Sequence, residues 1–140
     1  MAVTKPILLD ETGQRIAGAF EAMVSQQSLI FLLKKTGLTD TIELNPTTAI
    51  YRATPTISTT TVTIPTPDTS EIPTASAYFC FELEIAVDAA ATTLVGPANW
   101  TYLEGGDLPD GAAAAGKTVY ISCRLDCTAR TVVANVWRVA

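Results

Sequence analysis

The segment Ala77 to Asp88 constrains this chain more than any other, because its side chains alternate without a break. Phe79, Phe81, Leu83, Ile85 and Val87 fall on one side, and Tyr78, Cys80, Glu82, Glu84, Ala86 and Asp88 on the other. Successive side chains of a strand point to opposite faces, so this pattern predicts a long strand with one buried and one wetter face. A strand cannot bury its apolar row alone, so the rest of the chain must supply a sheet and a cover for it.

The language after Gly37 supplies the sheet. Thr, Pro and β-branched residues dominate, which favours short strands and turns. Candidate strands are Ile42 to Leu44, Thr48 to Ala53, Thr59 to Ile64, Thr92 to Val95 and Asn99 to Leu103. Pro65-Thr66-Pro67-Asp68 and Glu71-Ile72-Pro73 punctuate a loop. Glu104 to Gly111 is a second loop, and Ala112 to Gly116 continues it or makes one weak helical turn. Thr118 to Leu125 and Thr131 to Val139 are the last two strands, and Asp126 to Arg130 forms a hairpin loop between them. Many short strands between turn signals indicate an antiparallel sandwich or barrel.

The N-terminal segment reads differently. Asp10 offers an N-cap and Glu11 an acidic first turn. Ile16, Phe20, Met23, Gln27 and Ile30 then recur at the four-three spacing of a heptad seam, with Gln27 as its polar member. Two outcomes fit. Asp10 to Lys35 is one helix of about seven turns, ending on Lys34-Lys35 with Gly37 as its C′ residue. Otherwise the helix ends near Ser25-Gln26-Gln27, and Leu29 to Leu33 is a buried strand or a second short helix. Five consecutive apolar residues from Leu29 must be covered either by the β-domain or by copies of the same segment. The expected fold class is therefore α+β, mainly β: an N-terminal helical segment over residues 1–37, then an antiparallel, jelly-roll-like β-sandwich over 38–140.

Composition narrows the function classes. Only 16% of residues are charged while 48% are apolar, against about 25% charged in ordinary domains. Self-association or docking would cover the apolar surface this leaves, unless Thr, Ser and Asn supply the missing polarity. A net charge of −5 with scattered Lys and Arg argues against nucleic acid as a partner. No apolar run of roughly 18 residues is present, so no membrane insertion is expected. The first ten residues carry no secretory signal pattern.

Chemistry is sparse. The chain has no histidine, which removes the commonest general base and metal ligand. Three cysteines, Cys80, Cys123 and Cys127, make no zinc set. Cys123 and Cys127 flank a hairpin end where they can meet, although a reducing cytosol disfavours a disulfide. Glu82 and Glu84 share a strand face, as a carboxylate pair or a solvated sheet surface. No phosphate-binding or nucleophile motif occurs. The expectation is a non-enzyme with no cofactor and no metal. Trp100, Tyr102 and Trp137 are the candidate ligand patch, with core or interface packing as the competing use.

Two stretches carry a resemblance. Asn99-Trp100-Thr101-Tyr102-Leu103-Glu104-Gly105-Gly106-Asp107-Leu108-Pro109, followed by Ala115-Gly116-Lys117-Thr118-Val119-Tyr120-Ile121, is similar to the terminal β-module of tailed-phage head fibres and tail fibres. The opening Lys5 to Ile16 resembles the N-terminal segment of small head-fibre or capsid-accessory proteins. Residues Gly111 to Ala114 depart from the more compact loop of that pattern. The resemblance implies a virion structural protein made in the bacterial host cytoplasm, typically a homotrimer. It would bind capsid or another virion protein through its N-terminal segment and project the β-domain. The alternative it implies is a receptor- or host-glycan-binding module of a tail fibre. No catalytic residues carry over.

Overall fold

A computed structural model of the protein describes residues 33–39 and 41–140. The described residues belong to one compact unit, Leu33–Ala140. The helical seam at Ile16, Phe20, Met23, Gln27 and Ile30 lies outside the described residues.

The unit is mainly β. Its strands are β1 (Lys34–Leu38), β2 (Ile50–Ala53), β3 (Ile57–Ser58), β4 (Thr61–Thr63), β5 (Tyr78–Ala86), β6 (Thr93–Val95), β7 (Trp100–Tyr102), β8 (Thr118–Asp126) and β9 (Val132–Val139). One short helix, α1 (Gly111–Ala114), precedes β8. Six strands form one sheet in the order β1-β2-β5-β8-β9-β7, and three form another in the order β3-β4-β6.

The alternation of Ala77 to Asp88 does become the central strand. Phe81, Leu83 and Ile85 of β5 are buried, as are Val119, Ile121, Cys123 and Leu125 of β8 beside them. Leu83 lies opposite Ile121 and Phe81 opposite Cys123 in antiparallel register. Tyr51 of β2 adds its ring edge-on to Phe81, with 6.2 Å between centroids. Its phenol is not stranded. The hydroxyl donates to the Thr48 carbonyl at 2.9 Å and accepts from the Asn45 amide at 3.0 Å, which fixes the turn that leads into β2. Val62, Ile64 and Leu94, from the three-stranded sheet and its continuation, belong to the same buried cluster.

Three expectations are corrected. The sheets are mixed rather than antiparallel: β1–β2, β2–β5, β7–β9 and β4–β6 all run parallel. Antiparallel neighbours need only a hairpin, whereas parallel ones need a crossover. Residues 54–77 make that crossover between β2 and β5, and they carry β3, β4 and the proline loop on the way. Second, Lys34 and Lys35 do not end a helix. They open β1, an edge strand beside β2, in which Gly37 has φ +78°. A lysine-rich edge suits a position where an unpaired strand would otherwise invite association, and Lys34 forms an ion pair with Glu84. Third, Ile42 to Leu44 is no strand but a single bridge, Glu43 to Asp68, closed by amide–carbonyl bonds of 2.8 Å on each side.

The closing hairpin is tightly tied. Asp126 Oδ1 accepts from the amides of Thr128 and Ala129, both at 2.8 Å, and Arg130 adopts φ +57° to return the chain to β9. Cys80, Cys123 and Cys127 are all free thiols, so the pairing considered for Cys123 and Cys127 is not present.

Candidate functional site

Because β5, β8 and β9 bury one face, their alternate residues define the other. Row by row across the sheet, Arg52 meets Glu84, Glu84 meets Tyr120 and Tyr120 meets Arg138. Further along, Cys80 meets Arg124, and Tyr78 meets Asp126 at the end of the strand pair. This open face carries two aromatic stations, each backed by an arginine. The Arg124 guanidinium lies 4.9 Å from the centroid of the Tyr78 ring. The Arg138 guanidinium lies 5.7 Å from that of Tyr120, and Trp137 packs against Tyr120 at 5.3 Å. Tyr78 and Trp137 remain 62% and 49% exposed. A register shift between Tyr120 and Ile121 makes Trp137 the extra residue of a bulge, a device that re-aims a side chain.

The candidate patch residues divide between the two faces. Trp100 is buried and packs edge-on to Phe81 at 6.5 Å, with Tyr102 tilted against it at 6.5 Å. The structure thus brings Trp100 and Tyr102 together on the core side and leaves Trp137 on the open side. Sequence reasoning did not single out Tyr78, Tyr120, Arg124 or Arg138 as site residues. Their signal was the opposite phase of the same alternation: once Val119, Ile121 and Leu125 are inward, Tyr120 and Arg124 must be outward.

Glu82 and Glu84 do share the open face, but Glu84 is taken up by Lys34 and Glu82 sits across from Ser122. Among the described residues no cluster of His, Cys, Asp or Glu is suited to hold a metal ion. No described helix is long and apolar enough to cross a membrane.

The core side holds its ionisable groups neutral. Burial pushes the Cys123 thiol well up, with the Glu82 charge adding to the shift. Burial raises the Tyr51 phenol, and raises that of Tyr102 to about 12, reinforced by Cys123 and Asp107. The ordinary values are 9.0 for the thiol and 10.0 for the phenols. At pH 7 all three are neutral in the folded and the unfolded chain and give no pH slope. Above pH 9 the unfolded chain releases protons that the folded chain keeps, so stability falls as pH rises, out to about pH 12. The Tyr102 hydroxyl is also buried without a hydrogen-bond partner. An unsatisfied buried hydroxyl costs roughly 1–3 kcal/mol. Tyr102→Phe is therefore expected to leave stability unchanged or raise it by about 1 kcal/mol at pH 7, and to flatten the alkaline decline. Urea melts from pH 7 to 11 check both.

Comparison of the chain with protein-family models, with curated proteins and with solved structures gives no match.

Proposed function

We propose that the chain is a non-catalytic structural protein of a tailed-phage virion, a head fibre or capsid decoration protein. It attaches or trimerises through its N-terminal segment and projects the β-unit as a two-layer sandwich. The observation that carries this reading is the resemblance of Asn99 to Pro109 and Ala115 to Ile121 to terminal fibre modules. Those residues supply β7, the loop after it and the approach to β8. The joint burial of Val62, Leu94, Leu83 and Ile121 in one cluster supports the sandwich.

An exposed Tyr78 and Trp137 on one sheet face favour a second reading, a receptor- or glycan-binding module of a tail fibre. In both readings the purified protein is a homotrimer, with three times the 14.8 kDa chain mass by light scattering. A charged residue at Ile16 or Phe20 should convert it to monomer, because an unpaired charge in the seam is costly to bury. A strict monomer for the unaltered chain counts against assembly. A trimer that survives both changes moves the interface to the β-unit. Localisation of the protein on particles then separates the readings, on the capsid for the first and on a tail fibre for the second.

A further inference from the structure

We propose that the cleft at the Tyr78–Asp126 end of the open face binds a neutral monosaccharide unit of a glycan. The cleft measures about 330 Å³ and is lined by Ser76, Ala77, Tyr78, Asp126 and Thr128. That is the lower end of the roughly 300–1,000 Å³ of ligand pockets, and its lining is polar around one aromatic ring.

Each wall has a chemical use. Sugars present an apolar C–H face and a rim of hydroxyls. Tyr78 offers a largely exposed ring for the first, and Arg124, stacked at 4.9 Å, holds that ring in place. Asp126 offers the second. Both of its bonds to the hairpin amides go to Oδ1, so Oδ2 keeps its acceptor capacity for ligand hydroxyls. Those same amides, Ala129 before Thr128, hold the Asp126 carboxyl below its usual range, so it is an ionised acceptor at neutral pH. The Ser76 hydroxyl and the lone pairs of the Thr128 hydroxyl complete the rim.

The cleft is also pre-formed. The Cys127 amide donates to the Ala77 carbonyl at 3.0 Å and the Thr128 hydroxyl to the Ala75 carbonyl at 2.8 Å. Arg130 Nη2 donates to the Ile72 carbonyl at 2.8 Å and to the Thr74 hydroxyl at 2.9 Å. The β8–β9 loop thus clamps residues 72–77 against it, and little ordering remains to oppose binding. The charge of Asp126 and the chain's net −5 disfavour an acidic sugar. An apolar ligand would leave Oδ2 and the hydroxyls unpaired.

The inference rests on the non-catalytic reading of this face and not on trimerisation or virion location. It is tested on the full chain by saturation-transfer NMR and chemical-shift titration. The probes are the methyl glycosides of glucose, galactose, mannose and N-acetylglucosamine. At least one is expected to bind with a Kd on the order of 1 mM, and Tyr78→Ala should weaken it about tenfold or more. Asp126→Asn keeps the Oδ1 acceptor for the hairpin and removes the charge, so it should weaken binding by a similar factor while the circular dichroism spectrum is unchanged. Trp137→Ala should leave binding unaltered. Absence of transfer to all of these glycosides overturns the proposal, as does binding that survives Tyr78→Ala. Loss with Trp137→Ala and not with Tyr78→Ala also overturns it, by moving the site to the Tyr120 station. Particle localisation is untouched by any of these results, so failure here is distinct from failure of the virion reading.

Discussion

Leu83→Ala is expected to lower the free energy of unfolding by about 3 kcal/mol, within the roughly 2–5 kcal/mol range of buried leucine truncations. Leu83 is fully buried, sits mid-strand in the longest strand pair and faces Ile121 and Tyr51 from its two neighbours. The site has little room to collapse, because both flanking strands are fixed by their own ladders and Tyr51 is pinned through its hydroxyl. Cavity cost rises where the surroundings cannot relax. The adjacent Glu82→Ala changes the other face of the same strand and should stay within about 0.5 kcal/mol. Urea unfolding at pH 7 measures both. Equal losses at the two positions would refute the inward assignment of Leu83.

That contrast is also the part of the fold most legible in the sequence. Burial of alternate residues is a local, period-two property, so β5, β8 and β9 could be read from Ala77 to Asp88, Thr118 to Leu125 and Thr131 to Val139. Strand direction is not local. Nothing in Ile50 to Ala53 encodes that it runs parallel to Tyr78–Ala86, since that depends on where residues 54–77 travel. Lys34 and Lys35 show the same limit. Next to Gly37 they match the end of a helix, and only the pairing with β2 and the Glu84 carboxylate, far along the chain, makes them an edge strand. The patch of Trp100, Tyr102 and Trp137 was chosen by residue type. Trp100 pairs with Val132 and Tyr102 with Ala134, both inward, whereas Trp137 lies in the opposite phase to Val132, Ala134 and Val136 and faces outward. That alternation already separates Trp137 from Trp100 and Tyr102; what no local pattern announces is the bulge that turns Arg138 to the same face, opposite Tyr120.

Gly111→Ala is the second change expected to have a large effect, and the reason is backbone rather than conformational freedom. Gly111 opens α1 and is buried against β6. A Cβ there would overlap the Thr93 backbone at its amide nitrogen and carbonyl carbon, and would lie 2.5 Å from its Cα. A side chain can rotate away from such an overlap, but Thr93 is hydrogen-bonded into β6 and its amide also donates to the Thr60 carbonyl at 3.2 Å. The helix must therefore lift from the strand. Asp110, whose side chain accepts from the Ala112 amide and whose carbonyl accepts from Ala113 and Ala114, would move with it. Overpacking of this kind costs typically 1–3 kcal/mol and more where backbone has to shift, so a loss of about 2 kcal/mol or more is expected in urea. Gly105 is the control. A Cβ there meets open space, and only its φ of +77° resists substitution. Gly105→Ala should cost about 1–2 kcal/mol, the price of a left-handed L-residue. A Gly111→Ala protein as stable as the parent would show that α1 is not seated on β6.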